Sequence, residues 1–241
     1  MVAPTRRSRV QGVLAGLRAA ADPVRREHSL GYFPTSMEIL GVPVPAVRKI
    51  LRPLARDLAD ASGAEVLAVA RALLDTRVHE ARQVAHELVG GRGDVVAQLD
   101  AAAVRALGEG NDNWGAVDCF SVFVSGPAWR DGRVGDGDVL GWAADVDPWW
   151  RRTALVSTVA LNARSRGGRG EPVRTLRVCA RLAGDPHPMV AKGLSWALRA
   201  LVDVDREGVR TFLGRHEAEL PALVRREVGN KLRTGRKSGR A

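Results

Sequence analysis

Apolar positions along the chain recur at the helical period of about 3.6 residues. Residues 64–76 (AEVLAVARALLDT) and 78–90 (VHEARQVAHELVG) each place apolar side chains at i, i+3, i+4 and i+7. Residues 171–184 (EPVRTLRVCARLAG) and 187–202 (HPMVAKGLSWALRALV) repeat this arrangement. Val, Ile and Thr never cluster in alternating runs between turn residues, so no strand is predicted. The pattern predicts an all-α protein.

Two helical segments echo each other. One begins at Asp147 (DPWWRRTALVSTVAL) and the other at Asp185 (DPHPMVAKGLSWALRAL), 38 residues apart (185 minus 147). Each opens with Asp-Pro, which predicts an N-capping aspartate followed by a proline in the first helical turn. A period of about 40 residues is typical of HEAT-type helical pairs. We therefore predict HEAT-like helical repeats forming a curved α-solenoid, with a basic concave face for a long ligand.

No long linker divides the chain, so we predict one HEAT-like repeat domain over residues 1–234. Residues 235–241 (GRKSGRA) are basic and lack apolar periodicity, and we expect a disordered tail there. Residues 164–172 (RSRGGRGEP) are interpreted as a flexible basic loop between helices.

The charge balance indicates a polyanionic partner. The chain of 241 residues carries 37 Lys and Arg against 27 Asp and Glu, a formal net charge of +10. Such an excess favours association with phosphates, because each neutralised phosphate releases counterions. A GC-rich genome that uses arginine freely gives the same excess without any ligand. Charge alone does not separate DNA, RNA and an acidic membrane surface.

Other classes of protein are disfavoured by what the sequence lacks. Cys119 and Cys179 are far apart and have no metal-ligand spacing, so we expect buried thiols rather than a zinc site or a disulfide framework. No apolar run approaches the roughly 20 residues that cross a bilayer. A secretory signal has an apolar segment after its basic start, and no such segment follows MVAPTRRSRV. We expect a cytoplasmic monomer without a membrane partner.

Three predicted helices place tryptophan beside charge. Trp114 and Asp118 are four positions apart, and Lys192, Trp196 and Arg199 fall at i, i+4 and i+7, so each of these two groups shares one helix face. The remaining group lies in one dense cluster, WWRR, at the start of a helix. Indole faces attract cations and stack on sugars and bases, while guanidinium groups bind phosphate oxygens. Any one of these tryptophans taken alone fits a core position, and any one of the cations fits a solvated face. Their recurrence on three helices favours a ligand-binding surface. The groups are Trp114 with Asp118, Trp149 and Trp150 with Arg152, and Trp196 with Lys192 and Arg199.

Four segments of the chain resemble, in order, the signatures of the AlkD-like DNA alkylation repair glycosylases. They are GVPVPAVRKI (41–50), NWGAVD (113–118), WWRRTAL (149–155) and AKGLSWALR (191–199). The resemblance spans roughly residues 30–205. It implies a fold of HEAT-like repeats and an enzyme that removes positively charged alkylated purines from DNA. The alkylated duplex would then be the partner of the predicted concave face.

The resemblance also implies roles for individual residues. Trp114 and Asp118 match the pair that lines the lesion site in the family. Trp196 matches a tryptophan implied to pack against the deoxyribose. We therefore predict Asp118, Trp114 and Trp196 as the catalytic residues.

A second set of residues is predicted to bind DNA. Arg152 matches an arginine that contacts DNA near the lesion, and Arg199 matches one that holds the backbone. Tyr32, the only tyrosine of the chain, matches a tyrosine ahead of the LGV motif. Lys192 joins this set because it shares a helix face with Trp196 and Arg199.

The chemistry of the substrate explains why no nucleophilic triad or metal motif is present. A purine alkylated at N3 or N7 is already cationic, so it leaves without protonation. Charge then develops on an oxocarbenium-like sugar, which a fixed carboxylate such as Asp118 stabilises while it orients the attacking water. Arg152, Lys192 and Arg199 would offset the repulsion between that carboxylate and DNA. We expect no metal or other cofactor.

The chain departs from the family pattern at two positions. Relatives often carry an aromatic residue where this chain has Asn113, and a polar residue where it has Gly115. We interpret both as a more open wall on the lesion side. An open surface without base flipping suggests that bulky adducts are substrates besides methyl groups.

Two other functions remain open at this stage. A HEAT-repeat protein with the same surface could bind damaged or branched DNA without excising bases. Alternatively, the chain is a protein-interaction scaffold of HEAT type, and its charge reflects genomic composition.

Overall fold

The computed structural model of the chain describes residues 4–32 and 34–238. The described residues form two compact units, and the division falls between Val124 and Ser125. The predicted all-α helical-repeat class is confirmed. Within the described residues, the only extended pairing is a single bridge between Glu38 and Val78. In the same residues, no helix is both long and apolar enough to traverse a bilayer.

The first unit consists of short helices that pack against partners both near and far along the chain. Two of them, α4 and α5, coincide with the first two amphipathic segments of the sequence and bury Val66, Val69 and Val84 between them. Side chains of Thr5, Ser62 and Asp100 cap α1, α4 and α7 by accepting a backbone N–H. The helices are α1 (Arg6–Ala19), α2 (Pro23–Tyr32), α3 (Val44–Asp57), α4 (Gly63–Leu74), α5 (His79–Gly90), α6 (Gly93–Val96), α7 (Ala101–Gly108) and α8 (Trp114–Phe120).

The second unit is built around one central helix. After a π-helical segment (Ser121–Ser125) come α9 (Gly126–Arg130), α10 (Asp136–Ala143), α11 (Pro148–Asn162), α12 (Pro172–Arg181), α13 (Pro188–Leu201), α14 (Arg206–Arg215) and α15 (Ala222–Thr234). Every residue of α11 from Arg152 to Asn162 is buried. The helices α9, α10, α12 and α13 all pack against α11, so it forms the core of this unit.

The predicted capping aspartate is confirmed for one helix and wrong for the other. Asp147 caps α11 by accepting the Trp149 N–H at 2.9 Å. Asp185 does not cap α13; that helix begins two residues later, where the His187 ring accepts the Met189 N–H. The reason is that the Asp185 carboxylate accepts the His187 N–H instead, at 2.8 Å.

This change of register lengthens the repeat. Pro148 and Pro188 are the first residues of α11 and α13, so the structural offset is 40 residues (188 minus 148) rather than 38. The turns before the two helices show the same offset of 40 residues. Asp145 accepts the Asp147 N–H before α11, and Asp185 accepts the His187 N–H before α13. The repeat is therefore one of whole turn-and-helix units, with a period typical of HEAT pairs.

The basic loop after α11 has a defined conformation. The Asn162 side chain accepts the Glu171 N–H at 2.9 Å and donates to Thr175 at 2.8 Å. Gly170 adopts φ +91°, and a Cβ there would lie 2.7 Å from Val204, so only glycine fits this turn. The end of this loop is therefore fastened to α11 and α12, and its flexibility stays a prediction.

The two cysteines and the C-terminal end differ partly from expectation. Cys179 is buried as predicted, whereas Cys119 is only half-buried.

Gly235 closes α15 in a left-handed conformation, and the Lys237 carbonyl accepts a hydrogen bond from Asn230. Residues 239–241 of the predicted tail lie outside the described residues. The single domain over residues 1–234 and the disorder of the tail stay predictions.

We predict that a buried histidine makes the fold sensitive to mild acid. His86 on α5 is fully buried with Nε2 at 3.1 Å from the Leu107 carbonyl oxygen, and burial lowers its pKa from 6.5 to about 3. Below pH 6.5 the unfolded chain therefore binds a proton that the folded chain does not. Stability is full above that pH and falls by about 1.4 kcal/mol per pH unit as the pH decreases.

Urea unfolding between about pH 7 and pH 5 measures this effect. His86→Gln should flatten the pH dependence, at the expense of some stability at neutral pH. His28→Gln, at an exposed position on α2, is the matched control and should keep the dependence of the wild type. Equal slopes for His86→Gln and wild type would contradict the assignment.

Candidate functional site

Helix α8 carries the candidate carboxylate. Asn113 caps this helix by accepting the Ala116 N–H at 3.0 Å, which makes Trp114 the first helical residue. Asp118 follows one turn later, and both side chains are half-buried. The structure thus confirms the spacing of the pair on one helix.

Tyr32 lies against Trp114 in the same unit. Their ring centroids are 5.6 Å apart and the rings are perpendicular, an edge-to-face arrangement. Tyr32 is 66% exposed, and α2, which it ends, contains no buried residue. Beside it is an open depression of about 520 Å³, lined by Asp22, Val24, Arg25, His28, Ser29 and Tyr32. An aromatic surface is therefore available next to the Trp114 indole.

Asp112 fastens the segment after α2 to the start of α8. Its carboxylate accepts the Ser36 N–H and the Ser36 hydroxyl at 2.6 Å each, and the Thr35 hydroxyl at 2.5 Å. Burial raises the pKa of Asp112, but these hydrogen bonds outweigh it and hold the pKa below its usual value. These hydrogen bonds therefore hold the segment that follows Tyr32 close to the start of the helix that Trp114 begins.

A second carboxylate holds the LGV segment, whose Leu40 carbonyl accepts the Asp22 N–H just before α2. Glu80, buried on α5, accepts the backbone N–H groups of Leu40, Gly41 and Val42 at 3.1, 2.7 and 3.2 Å. Gly41 has φ +78°, and a Cβ there would lie 2.3 Å from the Asp22 carbonyl oxygen. The LGV segment therefore needs its glycine so that the chain entering α2 can approach closely.

The interpretation of Asn113 as part of an open wall is wrong. Asn113 is completely buried, and besides capping α8 its Nδ2 donates to Thr35 at 3.3 Å. Gly115 has a packing reason of its own, since a Cβ there would lie 3.2 Å from the His79 ring. Burial lowers the pKa of His79, which favours its neutral form beside this glycine.

The two tryptophans of the second unit have different roles. Trp150 is buried and packs against Trp142, with ring centroids 5.5 Å apart. Trp149 is half-buried, and its ring centroid lies 6.1 Å from that of His187, the cap of α13. Trp150 is therefore a core residue, and only Trp149 of the pair has surface to offer a ligand.

Arg152 lies between α11 and α13. It is 5% exposed, and its guanidinium donates to the Met189 carbonyl at the start of α13. A Cβ on Gly193 would lie 3.4 Å from the Arg152 side chain, so Arg152 packs directly over this position of α13. Neighbouring Arg151 pairs with Asp185 at 2.6 Å and donates to the Asp145 carbonyl. Arg151 thereby joins the turns that precede both helices, and Arg152 joins α11 to the first turn of α13.

Helix α13 carries the remaining candidates. Lys192 is exposed and makes no hydrogen bond or ion pair within the described residues. Trp196 and Arg199 are half-buried. Arg199 donates from Nε to the Ser195 hydroxyl at 3.2 Å and lies 3.8 Å from the Glu227 carboxylate. Burial lowers the pKa of Arg199, although Glu227 partly offsets this.

The structure thus groups the predicted residues in two sets. The first unit brings together Tyr32, Trp114 and Asp118 on α2 and α8. The second unit places the other candidates on α11 and α13, which pack together; they are Arg152, Lys192, Trp196 and Arg199. Within residues 4–32 and 34–238, no three His, Cys, Asp or Glu side chains converge as metal ligands would.

Sequence reasoning did not find the carboxylates that hold these sets in place. Asp112, Glu80 and Glu227 act on residues between 32 and 77 positions away in the chain. The signal that could have found Asp112 is its position two residues before Trp114, in the same NDNW segment.

Comparison with known proteins identifies the family. The family model described as DNA alkylation repair enzyme matches residues 13–232, a span that includes all seven candidate site residues. The chain therefore belongs to the family of DNA alkylation repair enzymes, and DNA is the substrate that membership implies. A comparison with curated protein sequences finds no match.

We predict that Asp112→Ala loosens α2 without unfolding the chain. The substitution removes three hydrogen bonds to Thr35 and Ser36, so the free energy of unfolding should fall by about 1–3 kcal/mol. Amide hydrogen exchange should accelerate in α2 and in residues 34–40 while α13 stays protected. Asp60→Ala, at an exposed position between α3 and α4, is the control. Unchanged exchange in α2 would show that Asp112 does not fasten it.

Proposed function

We propose that the protein is a monofunctional DNA glycosylase that acts as a monomer. It hydrolyses the N-glycosidic bond of cationic N3- or N7-alkylated purines in duplex DNA, without flipping the base. The observation that carries this proposal is the half-buried carboxylate of Asp118, one helical turn from Trp114, in a member of a DNA alkylation repair family.

The reaction requires little of the protein beyond electrostatics. Water attacks C1′ of the deoxyribose, the bond from C1′ to the purine nitrogen breaks, and its electron pair neutralises the cationic base. The products are a neutral alkylpurine, an abasic sugar and the proton released from water. Positive charge develops on the sugar before water adds, and a fixed anion such as Asp118 lowers the energy of that state. The same carboxylate accepts a hydrogen bond from the water and so orients it.

The aromatic side chains of the first unit fit a role beside the sugar. The Asn113 cap fixes the start of the helix that carries Trp114, and the Tyr32 ring lies edge-to-face against the Trp114 indole. Its π-density is an additional source of stabilisation for a cationic sugar. Trp196 on α13 is proposed to pack against the same deoxyribose, as the family resemblance implies.

The cations of the second unit fit a role at the phosphate backbone. Lys192 is exposed, and the terminal nitrogens of Arg199 donate no hydrogen bond within the described residues. Both side chains are therefore available to bind phosphate oxygens. Arg152 is largely buried, so we assign it to holding α13 and to a single contact near the lesion. Together these cations would form the basic concave face and offset the repulsion between Asp118 and DNA.

A lyase activity is not part of this proposal. Strand cleavage by that route needs an amine nucleophile near C1′, and the chain contains four lysines, of which Lys192 alone belongs to the proposed site. Hydrolysis that leaves an intact abasic site is the expected outcome. A cytoplasmic location stays a prediction from the sequence.

We predict that Asp118→Asn abolishes most base release but not DNA binding. Loss of the fixed charge should lower the rate by about 10²- to 10³-fold. DNA affinity should be unchanged or higher, because an anion facing the phosphates has been removed. The measurement is chromatography of bases released from alkylated duplex DNA under single-turnover conditions, together with a binding titration.

Asp60→Asn makes the same change of charge away from the proposed site and should behave as the wild type. If the wild type binds alkylated DNA but releases no base, the protein is instead a non-catalytic binder of damaged or branched DNA. If Asp118→Asn releases bases at the rate of the wild type, the carboxylate has no part in the reaction.

We further predict that bulky adducts are substrates as well as methyl adducts. Trp114 and Asp118 are half-buried rather than enclosed, and the depression beside Tyr32 is open to solvent. A surface of this kind excludes large groups much less than a tight base-binding pocket does. Duplexes with one N3-methyladenine or one bulky N3-alkyladenine should both release their base, at rates within about tenfold. Excision of the methyl adduct alone would refute the open-surface idea.

A further inference from the structure

We infer that Glu227 on α15 is a positioning residue for Arg199, acting through the Ser195 hydroxyl. This inference rests on the proposed function, because it concerns how one of the proposed phosphate-binding groups is oriented. It adds to the site a helix on which no candidate residue lies.

The geometry is a short chain of hydrogen bonds. The Ser195 hydroxyl donates to Glu227 Oε2 at 2.6 Å, and the same oxygen of Ser195 accepts from Arg199 Nε at 3.2 Å. Ser195 is completely buried, and Glu227 is 8% exposed. Because the carboxylate is an acceptor only, the hydroxyl proton must point to Glu227, and a lone pair of Ser195 is left facing Arg199.

This arrangement leaves the useful end of Arg199 uncommitted. Nε is bonded to Ser195 and lies 3.8 Å from Glu227 Oε2, whereas Nη1 and Nη2 have no hydrogen-bond partner within the described residues. The two terminal nitrogens form the edge of the guanidinium that matches two phosphate oxygens. Fixing Nε therefore orients the fork before DNA arrives and reduces the conformational entropy lost on binding.

Two cations of the same unit lie close to the Glu227 carboxylate. Lys237, three residues after the end of α15, lies 3.2 Å from Glu227 Oε1, so the carboxylate is shared between one lysine and one arginine. Burial raises the pKa of Glu227, but the Ser195 and Lys237 hydrogen bonds outweigh it and hold the pKa below its usual value. Lys237 thus keeps part of the anionic charge from opposing DNA.

Neutralising Glu227 should change the DNA affinity in the direction opposite to that expected from charge alone. Removing an acid from a DNA-binding protein ordinarily tightens binding, because one repulsive charge is lost. If Glu227 positions Arg199, Glu227→Gln instead weakens binding by about 3- to 10-fold. The salt dependence should also fall by nearly one phosphate contact, about 0.9 in the slope of log K against log salt concentration. Glu217→Gln, at an exposed position of the same unit, is the matched control and should bind as tightly as wild type or more tightly.

The experiment is a binding titration at several salt concentrations, with a short duplex that carries a tetrahydrofuran abasic site and so cannot react. The variants are Arg199→Ala, Glu227→Gln, the double variant, Glu217→Gln and Ser195→Ala. Ser195→Ala interrupts the relay with the loss of one oxygen atom, and it keeps the test informative if a change at Glu227 impairs folding. Circular dichroism and thermal unfolding confirm that each variant is folded.

The result expected is that Arg199→Ala, Glu227→Gln and Ser195→Ala all weaken binding, and that the double variant is no weaker than Arg199→Ala alone. If Arg199→Ala weakens binding while Glu227→Gln and Ser195→Ala do not, the inference is overturned and the proposed function stands. If Arg199→Ala itself has no effect, the role proposed for Arg199 in DNA binding fails, and the inference fails with it.

Discussion

An anion that works on DNA must be held rigidly, because DNA itself is an anion and repels it. Asp118 meets this constraint by its place on α8, a helix whose first turn is capped by the buried Asn113 and tied by Asp112 to the segment after α2. The carboxylate therefore does not depend on a loop for its position. In the proposed reaction this carboxylate attracts a cationic sugar.

Carboxylates that accept hydrogen bonds recur as the means of holding the candidate side chains. Glu80 holds the LGV segment before α3, Asp112 the segment just after α2, and Glu227 the hydroxyl that binds Arg199. Glu80 and Glu227 are buried, and they satisfy buried donors that would otherwise lack a partner. Such a bond fixes direction as well as distance, which apolar packing alone does not. The aromatic and cationic side chains at the surface can then be oriented while remaining exposed.

Sequence alone predicted the parts of this arrangement that depend on local spacing. The helices, the Asp147 cap and the sharing of one helix face by Trp114 and Asp118 follow from periods of a few residues. Asp185 was assigned wrongly because Asp-Pro-His-Pro offers two capping residues, and the choice between them depends on a hydrogen bond that the sequence does not show. Trp150 as a core residue and Glu227 as a partner of Ser195 are tertiary features, since they join separate helices. No local pattern encodes contacts of that kind.

The central claim is that Asp118 stabilises positive charge on the sugar, and a charged analogue of that sugar tests it most directly. The measurement compares the affinity for duplexes with a cationic pyrrolidine abasic site and a neutral tetrahydrofuran abasic site, in wild type and in Asp118→Asn. We expect the wild type to prefer the cationic analogue by about tenfold or more, and the variant to lose that preference. Equal preference in the two proteins would contradict the account.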